Sequence, residues 1–297
     1  MLNIAHISDL HLDGNEEKYN RLDELLCDIS DHGIDHLVIT GDITNAGRDV
    51  EYKQAIRLFK KYGYYEHSRL SVIPGNHDLY PFFFRKFPRK PEWDDIKGNP
   101  KLFLKNLKEI LPKLRQYSQS NYSAECKIFA SYFKQSCLTK YPYEKNLSSN
   151  SALVGIDTNN ILPTYHLDGS RIKLFKNTID HIRTRSHLIH SLYEYSDNPL
   201  CCNGDVDLES VETVLKRQYQ KRKTIIVVMH HYLYDKRTVV SEEGEVFAET
   251  MGIYQRNKLL ALFKKYKVKL VLHGHWHITE SYIAKDVEVL NGAGIND

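Results

Sequence analysis

No stretch of about 18 consecutive apolar residues occurs in this sequence, so no membrane-spanning helix is expected. There is no C-x-x-C pair. The five cysteines are an odd number, and Cys201 and Cys202 are adjacent, a spacing at which neighbours rarely bridge. This argues against a disulfide framework and fits a reduced, cytoplasmic compartment. Residues 1–7 lack the basic region and long apolar segment of a secretion signal, and they read as a first strand. There is no internal repeat and no low-complexity tract.

The 297 residues are enough to bury a large core, as one α/β domain with additions or as two domains. Net charge is only +3, but it is unevenly spread. Residues 81–150 hold 14 Lys/Arg against 6 Asp/Glu, together with 13 aromatics. Such a block suits an anionic partner, and it also suits a solvated helical face.

The pattern of elements is regular at first. Residues 3–8 predict a strand ending at Asp9-Leu10-His11. A helix over 16–31 places Tyr19, Leu22, Leu25, Leu26 and Ile29 on one face, and Gly33 stops it. Residues 36–40 predict a second strand ending at Gly41-Asp42. Asp49 is a candidate cap for a helix over 50–62. Residues 70–73 predict a third strand, ending at Pro74-Gly75-Asn76-His77-Asp78. This alternation implies a parallel sheet with right-handed crossovers.

From 81 to 150 no clear strand is legible. Helical spacing over 101–117 and 124–138 predicts a helical insertion, a cap or small subdomain. Strand character returns at 151–157. A second irregular stretch covers 160–203, with a helix predicted over 172–195 and His166, His181, His187 and His190 in or near it. Asp205 or Asp207 caps a helix ending near 220. An apolar strand over 224–229 ends in His230-His231. A helix over 257–266 leads to a strand that stops at Gly274, followed by His275-Trp276-His277. Alternate residues of an extended chain face the same way, which lets His275 and His277 look into one cavity. Residues 281–283 and 287–290 predict a terminal hairpin.

Apart from Asp78, the strand ends assemble two carboxylates (Asp9, Asp42), one amide (Asn76) and five imidazoles (His11, His77, His230, His275, His277). A mixed O/N set without thiolate suits Mn²⁺, Fe, Zn²⁺ or Co²⁺. It is too rich in nitrogen for Ca²⁺ or Mg²⁺ alone. Eight groups exceed the needs of one ion, whereas two ions sharing a carboxylate would use most of them. Such a pair turns a shared water into hydroxide near neutral pH and holds a phosphoryl group for in-line attack. Gly41 and Gly75 let the backbone turn beside the ligands. Taken singly, each of these residues also has a structural use: a buried Asp caps helices, and Asp42 with Thr44 suits a turn. His6 and His273 lie within strands and read as packed core histidines.

The five blocks D-x-H, G-D, G-N-H-[DE], H and G-H-x-H occur in order from Asp9 to His277. In this the chain resembles the calcineurin-like metallophosphoesterase superfamily. The resemblance implies an α/β fold, a two-sheet β-sandwich flanked by helices, with 81–150 as a helical cap. It implies that Asp9, His11 and His277 hold one ion, that Asn76, His230 and His275 hold the other, and that Asp42 bridges them. His77 would be the unliganded histidine that donates to the leaving group. Asp78 and His231 would stand in the outer shell or be structural.

The motifs imply a phosphoester hydrolase, most directly a phosphodiesterase. They resemble cyclic-nucleotide and glycerophosphodiesterases and the superfamily's repair nucleases. Protein phosphatases are less similar: Pro74 stands where they carry Arg, and Asn45-Ala46-Gly47 where they carry Asp-Arg-Gly. A nuclease, a phosphomonoesterase and a lipid-linked substrate stay open as alternatives. A non-catalytic binding protein would show lost ligands, and none is lost here. The basic insertion at 81–150 is the expected contact for a nucleotide or nucleic acid, its aromatics either stacking on bases or forming its own core.

Overall fold

The computed structural model describes residues 2–79, 119–134, 141–159, 204, 206–233, 252–253 and 255–295. The helices expected over 101–117 and 172–195 lie outside these residues. So do the insertion at 160–203 with its histidines, Asp205, and Cys201 and Cys202. No helix among the described residues is long and apolar enough to cross a membrane.

A first sheet holds β1 (Ile4–Ile7), β2 (His36–Ile39) and β3 (Leu70–Val72), all parallel and in that order. Helices α1 (Glu16–Asp31) and α2 (Asp49–Lys61) make the crossovers and pack on each other. Asn15 caps α1 by accepting from the Glu17 amide, and Gly33 takes the left-handed position just past its end. Asp49 is not the cap of α2. The buried Glu51 carboxylate collects the amides of Ala46 and Arg48 instead, and Asp49 pairs with Lys53 in the first turn.

The short helix α3 (Asn76–Leu79) follows β3, and α4 (Gln119–Phe133) packs against α2 and α3. Phe129 and Phe133 are buried, edge-on to Tyr52 of α2, and Tyr132 stacks on Tyr52 at 4.6 Å. These aromatics of the basic segment therefore serve the main core, neither stacking on bases nor forming a core of their own.

The second sheet runs β4 (Tyr143–Asn146), β5 (Ser151–Gly155), β6 (Thr224–Val228), β7 (Val268–His273), β9 (Val287–Asn291), β8 (Glu280–Ala284). Its four central strands are parallel, and its two edge strands are antiparallel. The C-terminal hairpin belongs to it, as expected. α5 (Leu208–Gln220), capped by Asp207, and α6 (Arg256–Lys265) lie on this sheet.

β4 is a strand where the sequence pattern indicated none. One of its two inward positions is Lys145, which reads as polar. Its side chain is nonetheless buried, with the ammonium donating to the carbonyls of His67 and Leu70 beside β3. Tyr143, the other inward residue, donates its hydroxyl to Val72 O at 3.2 Å. Residues 143–146 thus tie the two sheets together and are not part of an insertion. One apolar cluster runs through strands of both sheets and the helices on either side.

Candidate metal centre

The C-terminal ends of β1, β2, β3, β6 and β7 meet at one place. The turns that leave them have an unusual backbone. Ten non-glycine residues among those described have positive φ. Arg222 and Lys267 follow helix ends, Gln255 precedes a helix, and Lys285 and Asp286 form the two-residue hairpin turn. The other five are Asp9, His11, Asp42, His275 and His277, all candidate ligands. Left-handed backbone costs about 1–2 kcal/mol per L-residue, and such strain concentrates at functional sites. His275 and His277 therefore do not point inward through a strand pleat; β7 ends at His273, and the turn itself aims them.

Three overlapping groups of ligand atoms form: Asp9, His11 and His277; Asp42, His230 and His275; and, sharing members with both, His11, Asp42 and His77. Around Asp9, the His11 Nε2–His277 Nε2 distance is 3.1 Å, and Asp9 Oδ1 lies 3.4 Å from His277 Nε2 and 3.9 Å from His11 Nε2. Around His230, Nε2 lies 3.0 Å from Asn76 Oδ1, 3.0 Å from His275 Nδ1 and 3.5 Å from Asp42 Oδ2. The same Asp42 oxygen is 3.7 Å from His11 Nε2, so it stands between the groups. The two carboxylates are used alike. Each spends one oxygen on a backbone amide of another ligand-bearing turn: Asp9 Oδ2 accepts from His275 N and Asp42 Oδ1 from His77 N, both at 2.8 Å. Each turns its other oxygen inward.

These atoms fit metal ions. Ligands about 2.1 Å from a tetrahedral or octahedral ion stand roughly 3.0–3.4 Å apart, close to the separations here. The protonation pattern agrees. His230 Nδ1 donates to the Thr40 carbonyl at 2.7 Å, so in the neutral ring Nε2 is a lone pair. That lone pair faces an amide oxygen and a carboxylate oxygen, which cannot donate to it, and His275 Nδ1, whose role depends on its tautomer. Asp9 Oδ1 is likewise buried, with the imidazole nitrogens His277 Nε2 at 3.4 Å and His11 Nε2 at 3.9 Å facing it. Acceptors turned toward one another in a dry interior need a cation between them. Without a metal ion, a proton on His230 serves as that cation. Burial disfavours charge on His230, but Asp42, Asp9 and the Thr40 carbonyl outweigh it and raise its pKa to about 9. Burial also pushes Asp42 upward, yet the surrounding His230, His77 and His11 hold it well below the usual carboxylate range.

His77 is half-buried on α3, its ring edge-on to His11 with centroids 4.5 Å apart. Its Nδ1 donates to the Asn45 carbonyl at 2.9 Å. Asp78 is buried and accepts from the amides of Ile43, Thr44 and Gly75 and from the hydroxyls of Thr44 and Tyr52. It holds the loops that carry Asp42 and Asn76 rather than orienting a ligand side chain. Burial and the nearby Asp42 push its carboxyl up to about 7, against the pull of its donors. His231 is buried behind the site, its ring 4.5 Å from that of His275 and Nδ1 2.8 Å from Thr158 Oγ1. Burial and the neighbouring His230 keep it neutral. His273 is a core histidine, hydrogen-bonded to the Tyr282 hydroxyl at 2.9 Å. His6 is half-buried and meets Thr40 Oγ1 at 2.8 Å.

Three contributors escaped the sequence reading. Asn159 donates to the carbonyl of Pro74, directly before Gly75-Asn76, at 2.9 Å. Thr158 holds His231. The signal was there, since β5 too ends in a carboxylate, a hydroxyl and an amide at residues 157–159. The third is Lys18, whose ammonium donates to the carbonyl of the left-handed His11 at 2.8 Å; nothing in the spacing of α1 indicates it.

Two sheets with helices outside and a doubled O/N cluster at the strand ends define the class. The sequence model of the calcineurin-like phosphoesterases matches residues 2–279, and the chain belongs to that family. It is 35% identical over 80 residues to a probable cyclic nucleotide phosphodiesterase of Vesicomyosocius okutanii subsp. Calyptogena okutanii (strain HA); the match covers 25% of this chain and 33% of that protein, so it spans about a third of the relative's length. A dimetal phosphatase from Danio rerio has a similar fold: TM-score 0.58, 11% identity, 99% of this chain and 88% of that one. GAP50, the anchor in the inner membrane complex of Plasmodium, aligns with TM-score 0.50 and 14% identity over 98% of this chain and 71% of that one.

Proposed function

We propose that this chain is a metal-dependent phosphodiesterase. The observation that carries the reading is Asp42 Oδ2, set between two ligand groups at 3.5 and 3.7 Å. Asp9, His11 and His277 would hold one ion, Asn76, His230 and His275 the other, and Asp42 both. The donor set suits Mn, Fe or Zn. When bound, two such ions supply Lewis acidity that brings the pKa of water toward neutral and offsets phosphoryl charge.

The chain's own residues do the rest. Asp9 and Asp42 lock the turns bearing the other ligands, so the site is built before substrate arrives. Thr40 O fixes the tautomer of His230. His77, anchored by Asn45, would deliver a proton to the leaving oxygen or a hydrogen bond to the phosphoryl group. Preference for diesters is supported by the motif style and by what the phosphodiesterase relative is said to be.

The test is hydrolysis of a generic diester against a monoester under Mn²⁺, followed by a panel of cyclic nucleotides, glycerophosphodiesters and single-stranded DNA. Diesters should be preferred. His77→Ala should lower turnover by about 10²–10⁴, and Asp42→Ala should abolish it. Unchanged turnover in both variants would refute the assignment.

A further inference from the structure

α5 and α6 end side by side. Each hands its chain, through a short turn, to the neighbouring parallel strands β6 and β7, which pair from Ile225 and Val268 onward. These turns lie at the N-terminal ends of the strands, the far pole from the metal centre. The segments 216–223 and 264–269 hold fourteen residues, of which nine are basic and none acidic. Three of the nine are in ion pairs: Arg217 with Glu144, Lys264 with Asp286 and Lys265 with Glu212. An excess of six positive charges remains, twice the formal charge of the entire chain.

The two segments form one surface. The rings of Tyr219 and Tyr266 meet at 6.1 Å, and the Lys267 ammonium sits 6.0 Å above the ring of Tyr219. Tyr219 is 41% exposed, and Lys216, Lys221, Arg222, Lys267 and Lys269 of the same two segments are exposed as well. Basic residues near a helix C-terminus complement the helix dipole, and one or two per helix accomplish that. More specific is the backbone. Arg222 (φ 56) and Lys267 (φ 52) occupy equivalent left-handed positions just past their helices. Glycine is the residue that adopts this position without strain. Both turns place a long cationic side chain there instead.

We propose that this face binds single-stranded nucleic acid: cations track the phosphates, and the exposed Tyr219 ring stacks on a base. An anionic membrane fits less well, because no exposed aliphatic side chain occurs in these segments to enter lipid. The inference does not depend on the proposed hydrolysis.

The experiment is fluorescence anisotropy of a labelled single strand of about 20 nucleotides, with the full chain in EDTA so that no hydrolysis intervenes. If about four phosphates are neutralised, raising salt from about 50 to about 200 mM should weaken binding about 50-fold. The triple variant Lys221→Glu, Arg222→Glu, Lys267→Glu should bind at least about tenfold more weakly at low salt. Tyr219→Ala should cost at least about fivefold. A matched triple reversal at exposed lysines on α2 and α4 (Lys53, Lys60 and Lys127 to Glu) should cost far less. All of these positions are exposed, and circular dichroism checks that each variant is folded; single reversals at Lys221 and Lys267 replace the triple if it is not. Equal losses in the two triple variants, or binding to phosphatidylserine vesicles without binding to the oligonucleotide, would overturn the proposal.

Discussion

Replacing His275 and His277 separately should remove different ions. The two histidines are two residues apart, yet His275 Nδ1 faces His230 and His277 Nε2 faces His11. Their settings differ as well. Asp42, His230 and His275 are all buried, at no more than 5% exposure, whereas the His277 side chain is 43% exposed. Apparent binding free energies of about 10–16 kcal/mol shared over four ligands put one ligand at about 3 kcal/mol, or two decades in affinity. At His277 solvent can fill the lost position, so His277→Ala should weaken its ion by about one to two decades. At His275 there is no access for water, and His275→Ala should cost the full two decades or more. The assay is Mn²⁺ titration by calorimetry, with metal content measured after gel filtration. Wild type should bind two ions per chain. His277→Ala should keep the buried ion at wild-type affinity, and His275→Ala should lose that ion first. If both substitutions act on the same ion, or if His277→Ala releases both, the division of ligands is wrong. Less than one ion bound by wild type at saturation would instead sink the two-metal reading itself.

A methyl group at Gly274 would stand 1.8 Å from Ser8 Oγ and 2.3 Å from Asp9 Oδ2. Gly274→Ala should therefore displace Asp9, cost about 1–3 kcal/mol in stability, and lower metal content; full retention of both ions would contradict this. Asp78→Ala should cost more than about 3 kcal/mol in urea unfolding, because it strands buried amides and a hydroxyl on two turns; a loss under about 1 kcal/mol would show that the hub is dispensable. His36, buried between Ser68 O and Ser71 Oγ, has its pKa lowered by burial from 6.5 to about 4. Between those values the unfolded chain binds a proton that the folded chain refuses, so this contribution is complete above pH 6.5 and is lost toward pH 4. From about pH 7 to pH 5 it should cost about 2 kcal/mol. Unfolding of wild type and His36→Asn at both pH values should differ by that amount, and parallel pH profiles would refute it.

The strand ends were legible because apolar β-branched runs stop abruptly at Asp, Asn or His, and chemistry placed at five such stops is hard to mistake. The turns themselves were not legible. Nothing in Asp9, His11 or His277 announces a left-handed backbone, since glycine is the usual marker and the strain is borne by the ligands. β4 escaped because Lys145 breaks the alternation while its ammonium finds carbonyls inside. The positive face escaped for another reason: segments 40 residues apart in the chain become neighbours only when β6 and β7 pair.

The 3.1 Å approach of His11 to His277 joins positions 266 residues apart. During synthesis, then, the first sheet leaves the ribosome with Asp9 and Asp42 in place and half their partners missing. The His230 ring reaches Thr40 only when β6 docks, and His275 and His277 arrive only after β7. No contiguous half of the chain contains the Asp9, His11, His277 group or the Asp42, His230, His275 group, whereas His11, Asp42 and His77 come together within residues 11–77. Completing the full set of candidate ligands therefore requires both sheets and the contact between their strand ends.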